Sequence, residues 1–170
     1  MSVSGLSREH RIHARDRAVQ AATLALHHAP VIHYTQGPQR WEGIHQHKNA
    51  RVGQFPHYAD CSAFVTWCLW NGLVLSGFTR RDLVNGENWG GGYTGTMLDH
   101  GKAVQHLGNV QRGDAVIYGH GSPGEHTAIV VGRSRGGTGK PMVISHGSEA
   151  GPFFLPYDYR DDVMGFRRYI

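Results

Sequence analysis

Only two cysteines occur in the 170 residues, Cys61 and Cys68, so no disulfide framework carries this fold. If one helix holds both, seven residues apart, their Cα atoms stand about 10.5 Å apart along its axis. A disulfide tolerates less than about 7 Å, so the two cannot pair. No apolar run approaches the roughly 18 residues that a membrane span requires. The stretch from Met1 to Asp16 is polar and lacks the apolar core of a secretory signal. The expectation is a protein made in the cytoplasm without Sec-type export of its own. Basic runs interleaved with aromatics are missing too, which argues against a nucleic-acid partner. Internal repeats and low-complexity segments are absent.

What the chain does have is the balance of a globular protein. Apolar residues make up 39% and charged residues 18%, outside the disordered class. The length fits a single domain, residues 1–170, with one sizeable core. The net charge of +4 and a sequence pI near 9.3 suit an anionic polymer as partner. Oligomeric state is not legible.

Hydrophobic periodicity divides the chain into a helical half and a sheet half. Arg8 to His28 reads as an amphipathic helix within an N-terminal region 1–30, with Ser7 as N-cap and Pro30 as stop. Val31 to Tyr34 reads as a short extended segment, and Thr35 to His57 as an irregular linker. A second helix, Ser62 to Asn71 inside the region 58–72, is apolar nearly all round and therefore buried, with Asn71-Gly72 closing it. Ser76 to Gly101 is loop-rich and contains Asn85-Gly86-Glu87-Asn88-Trp89-Gly90-Gly91-Gly92-Tyr93. Such a loop is either a substrate groove with exposed aromatics or a plain surface connection. The region 113–170 reads as strands at Asp114 to Tyr118, Thr127 to Val131, Met142 to His146 and Gly165 to Tyr169. Turn chemistry at Ser122-Pro123-Gly124 and Gly136-Gly137-Thr138-Gly139 favours antiparallel pairing. The pattern is α+β, with the second helix packed on the sheet.

The chemistry gathers in three places. Asp60-Cys61-Ser62-Ala63-Phe64-Val65 puts a thiol at a helix start, where unpaired N–H groups and the helix dipole favour thiolate. Gly113-Asp114-Ala115-Val116-Ile117-Tyr118 opens one strand, and His126 heads another, His126-Thr127-Ala128-Ile129-Val130-Val131-Gly132. Met142-Val143-Ile144-Ser145-His146 ends with a second histidine. If these strand faces meet the helix, His126 serves as base and His146 as the group that orients it. Glu149 and Asn109 are alternatives for the orienting role. A Cys61–His126 ion pair is then expected, and the Cys61 N–H is a natural oxyanion donor. Cys68 reads as a core residue.

Competing chemistries fare worse. His10 and His13 lack the i, i+4 spacing of a helical zinc motif, and His45 with His47 has no evident third ligand nearby. Gly136-Gly137-Thr138-Gly139-Lys140 runs into Pro141, so it is a turn and not a phosphate loop. The expectation is no metal and no organic cofactor.

The three blocks resemble the signature segments of the NlpC-type cell-wall peptidases, papain-like cysteine enzymes that cut peptide stems or bridges of peptidoglycan. The similarity spans roughly Tyr34 to His146, with Ala63 standing where glycine is usual. It implies an α+β papain-like fold, Cys61 as nucleophile, His126 as base and His146 as the third polar member. By the same resemblance, Tyr34 assists the oxyanion, Ser62 contacts substrate, and Asp60 supports the helix start or caps it. Trp89 is added as a substrate-side aromatic from the glycine-rich loop. A wall-degrading motif without a signal resembles phage endolysins, released through a holin-type membrane pore to act on the wall. An amidase or acyltransferase on the same scaffold, and a non-catalytic wall-binding module, remain the other readings.

Overall fold

The computed structural model describes residues 7–121, 124–134 and 139–170. The expected turns at Ser122-Pro123 and Gly136-Gly137-Thr138 lie outside the described residues. Helix α1 spans Arg8–His27, and Ser7 caps it by accepting the His10 N–H. A single 3₁₀ turn, Ala29–Val31, takes the proline and leads into β1, His33–Tyr34. The expected linker is not structureless. It holds a 3₁₀ turn at Pro38–Trp41, a one-turn helix α2 at Glu42–His45, and another 3₁₀ turn at Ala50–Val52. Strand β2, Tyr58–Ala59, pairs in parallel with β1 and delivers the chain to α3, Cys61–Leu73.

Beyond α3 come α4 (Thr94–Asp99), β3 (Lys102–Val104), β4 (Ala115–Tyr118), β5 (His126–Arg133), β6 (Pro141–His146), β7 (Pro152–Pro156) and β8 (Val163–Arg168). Strands β3 to β8 form one antiparallel sheet in the order β3-β8-β4-β5-β6-β7. The short edge strands β3 and β7 escape sequence reading. Each is a few residues long, and β7 is bounded by prolines that weaken its strand signal.

All of β4 is buried because both faces of the sheet are covered. Ala115 and Ile117 join Ile129 and Ile144 against α1 and α3, while Val116 and Tyr118 join Ala128, Val130 and Val143 in a second core on the opposite face. Against β8, Arg168 clasps the buried Asp114 carboxylate through two hydrogen bonds of 2.8 and 2.7 Å. The Gly-Asp block at this strand start is thus a structural clasp. Gly113 turns at φ +87°, where its N–H donates to the Val130 carbonyl.

Helix α1 offers small side chains to α3: Ala14, Ala18, Ala21, Ala22 and Ala25 are all buried. Opposite them, Gly72 does not end α3 as the sequence led us to expect. The helix runs on to Leu73, since Asn71 turns inward, donating to the Trp67 carbonyl and accepting from the Ala50 N–H. A Cβ at Gly72 would stand 2.5 Å from the Ala14 carbonyl oxygen. Glycine is needed here for close approach of two helices. Gly72→Ala should therefore lower stability by about 1–3 kcal/mol through overpacking, despite alanine's better helix propensity. Denaturant unfolding measures this, and an unchanged midpoint would refute the close-contact reading.

Candidate active site

Cys61 occupies the first position of α3 and is 6% exposed. Asp60 is the N-cap: its Oδ1 accepts the Ala63 N–H at 2.7 Å and the Ser62 hydroxyl at 2.9 Å. The other oxygen, Oδ2, receives Arg40 Nη1 at 2.6 Å, and Arg40 also donates to the Gly92 carbonyl. Asp60 thus holds the turn under the thiol. The structure puts Ser62, 2% exposed, against that carboxylate and not on a substrate surface.

The Cys61 sulfur receives hydrogen bonds from the Thr127 backbone N–H and the Thr94 hydroxyl. Helix α3 thereby touches β5 one residue after His126. The His126 Nε2 is 2.7 Å from Ser145 Oγ, which is in turn 3.0 Å from the Tyr159 hydroxyl. The hydrogen bond that the sequence leads one to expect at His146 goes instead to Ser145. The register explains the correction. Ile129 pairs with Ile144 and Val130 with Val143. Ser145 therefore shares the face of His126 and Ala128, whereas His146 shares the face of Thr127 and Ile129. Glu149 pairs instead with His33, and Asn109 lies in the 3₁₀ turn Leu107–Asn109; the His126 side-chain hydrogen bond goes to Ser145.

His146 is fully buried beside the nucleophile's approach segment. Its Nε2 meets the Ala59 carbonyl at 3.1 Å, and its ring stands edge-on to Tyr34 and Phe64. It fastens β6 to the strand that ends just before Asp60. Tyr34, half-buried on β1, lies within electrostatic reach of Cys61. Trp89 is 7% exposed, donates Nε1–H to the Arg80 carbonyl, and packs in the core. The expected groove aromatic is a core side chain because the loop folds around Asp82, whose carboxylate accepts N–H groups of Val84, Asn85 and Trp89. The open side of His126 is instead a cavity of about 320 Å³ lined by Ser145, Gly147, Phe153, Tyr159 and Arg160 among others.

Burial disfavours the charged forms of both Cys61 and His126. Burial, reinforced by the nearby Asp60 charge, pushes the Cys61 thiol up to about 11. Burial, with the Arg160 guanidinium adding to it, pulls His126 down to about 4. Desolvation of the charged forms outweighs the favourable helix start, contrary to the ion pair expected from sequence. Burial also raises the Tyr34 phenol, so its O–H remains a donor.

No protein-family profile and no curated protein sequence matches this chain. Among solved structures, NlpC2 of Trichomonas vaginalis superposes with a TM-score of 0.53 at 15% identity, covering 90% of this chain and 47% of that one. NlpC1 of the same organism gives 0.53 at 16% identity, covering 89% and 44%. The chain thus spans less than half the length of these two proteins. The fold is α+β and papain-like, of the NlpC kind.

The neutral pair makes a kinetic prediction. A thiol titrating near 11 releases thiolate only as pH rises, so Cys61 alkylation should climb about tenfold per pH unit from neutral to about pH 10. Iodoacetamide kinetics with mass-spectrometric localisation to Cys61 reads this out. A plateau below about pH 8 would show a preformed ion pair.

Proposed function

We propose that the protein is a peptidoglycan hydrolase, a cysteine peptidase cutting an amide of the stem peptide or cross-bridge through a Cys61 thioester. The observation that carries this is Cys61 at the start of α3, its sulfur hydrogen-bonded to the backbone of β5 beside an imidazole whose Nε2 is occupied by Ser145. That arrangement leaves His126 Nδ1 for proton transfer. The NlpC-type fold and the motif resemblance supply the substrate class, and a positive net charge suits an anionic wall.

The proposed reaction runs as a thiol hydrolysis. His126 takes the Cys61 proton as sulfur attacks the amide carbon. Because both partners begin neutral, the charges form only as substrate is engaged. The oxyanion is held by the Cys61 N–H at the helix start and by the protonated Tyr34 hydroxyl. His126 then gives its proton to the leaving amine, and a thioester remains. Water, deprotonated by His126, attacks the thioester carbonyl; Cys61 leaves as a thiol and the product is a carboxylate. The role we assign is that of a phage lysin, made in the host cytoplasm and reaching the wall through a holin-type pore.

The test is incubation of purified peptidoglycan with the protein and with Cys61→Ala, followed by mass spectrometry of new amines and carboxylates. New ends from the unmodified protein alone are expected, and their masses distinguish stem-peptide cleavage from cleavage at the lactyl–alanine bond. Transfer without new carboxylates, or wall binding without new ends, would refute hydrolysis. His126→Ala should lower kcat/KM by about 10²–10⁴. The acid limb of the kcat/KM profile should fall near pH 4, since His126 must be neutral to act as base and its pKa is lowered to about 4.

Ser145→Ala removes only part of what a positioned base contributes, and should lower kcat about 10- to 100-fold with KM and Tm unchanged. A drop in Tm with kcat preserved would make Ser145 a merely structural residue.

A further inference from the structure

A second cluster of coordinating side chains stands at the start of β2, before the chain reaches Asp60 and Cys61. Glu42 begins α2, His47 follows it, and His57 directly precedes β2. One ligand atom from each lies within 4.8 Å of the other two. Glu42 Oε1 is 3.1 Å from His47 Nε2 and 3.3 Å from His57 Nδ1. Tetrahedral zinc with ligands at about 2.0–2.1 Å requires ligand–ligand edges of about 3.3–3.4 Å. Two of the three edges already approach that spacing.

The remaining contacts fix this arrangement in place. Glu42 Oε2 accepts the His57 and Tyr58 N–H groups at 2.7 and 3.0 Å, so the carboxylate is held with Oε1 turned to the imidazoles. Trp67 Nε1 donates to the His47 carbonyl at 2.9 Å, anchoring that residue to α3. The His57 ring packs against Phe55, which stacks on His28. The Glu42 side chain is 15% exposed, that of His47 29% and that of His57 46%, so one side stays open for a water as fourth ligand. His45, adjacent in sequence, turns instead toward Gly90.

We propose that Glu42, His47 and His57 form a binding site for one zinc-class divalent ion. Imidazole and carboxylate donors suit such ions. The ion replaces the two hydrogen bonds to Oε1 and ties α2 to the residues that lead through β2 into Asp60 and Cys61. It is a clamp on the approach to the nucleophile and takes no part in bond cleavage.

The experiment uses the full chain with Cys61→Ala, so that the nucleophilic thiol cannot act as a ligand. Cobalt(II) is titrated while visible absorption is followed, then displaced with zinc. The expected result is one saturable ion with the spectrum of a four-coordinate site, and a rise in Tm on adding zinc. Adding His57→Ala or His47→Ala should weaken binding by more than the about 10- to 100-fold that outer-shell changes cost. Circular dichroism verifies folding. His57 is the preferred variant because its ring is half exposed, whereas Glu42 also accepts two backbone N–H groups. No saturable binding, or an affinity that neither histidine substitution changes, would overturn the proposal. The first outcome would leave Glu42 as a hydrogen-bonded bridge between two imidazoles. The second would place the ion among the protein's other histidines. Neither outcome bears on the hydrolase reading, because no wall substrate enters the measurement.

Discussion

The Asp60 carboxylate sits where α3 begins, and its two oxygens serve different parts of the molecule. One satisfies the Ala63 N–H and the Ser62 hydroxyl, stabilising the first turn of α3 by about 1 kcal/mol. The other pairs with Arg40, which reaches on to the Gly92 carbonyl and so joins the polar segment before β2 to the glycine-rich loop. Cys61 follows directly, and its sulfur can meet β5 only if that first turn is fixed. A buried carboxylate beside a thiol nevertheless opposes thiolate formation, and Asp60 is indeed one cause of the raised Cys61 pKa. Arg40 offsets part of that charge. The cap holds the nucleophile in position at some cost to its acidity.

That cost matters because the helix start was expected to do the reverse. A terminal N–H and the helix dipole act over a single turn and are effective when a thiol is partly solvated. Here the sulfur is almost wholly enclosed, so the loss of hydration dominates. His126 experiences the same enclosure, with Arg160 close by. In the proposed reaction, two buried groups that are each hard to ionise exchange a proton as the substrate carbonyl arrives, because the charges then form as a pair.

Much of the fold was legible because the signals were local. Ser7 before α1, and Asp60 before an all-apolar run, mark helix starts through cap chemistry that needs no tertiary partner. The apolar runs of β4, β5 and β6 likewise mark buried strands. Where tertiary contact decides, local signals mislead. Gly72 resembles a helix terminator, yet serves the approach of α1. Trp89 resembles a groove aromatic among glycines, yet the loop turns it inward around Asp82. Short strand β3 is defined by its partner β8, which lies far away in sequence, whereas β7 directly follows its partner β6 and is hidden by the prolines that bound it.

The site divides along the same line. That Cys61 and His126 each head an element could be read from the chain. The partner of His126 could not, because it depends on how β5 and β6 align. Sequence alternation gives two faces per strand but not which face of one strand matches which face of the next, and a one-residue change of register exchanges them. The pairing of Ile129 with Ile144 settles the matter and selects Ser145. It also gives His146 a different task. Pointing to the helix side, it bonds the Ala59 carbonyl and packs on Phe64, holding the residues on either side of Asp60 and Cys61. Adjacent residues on one strand thus act from opposite faces, Ser145 holding the His126 ring and His146 bracing the segment that leads into Cys61.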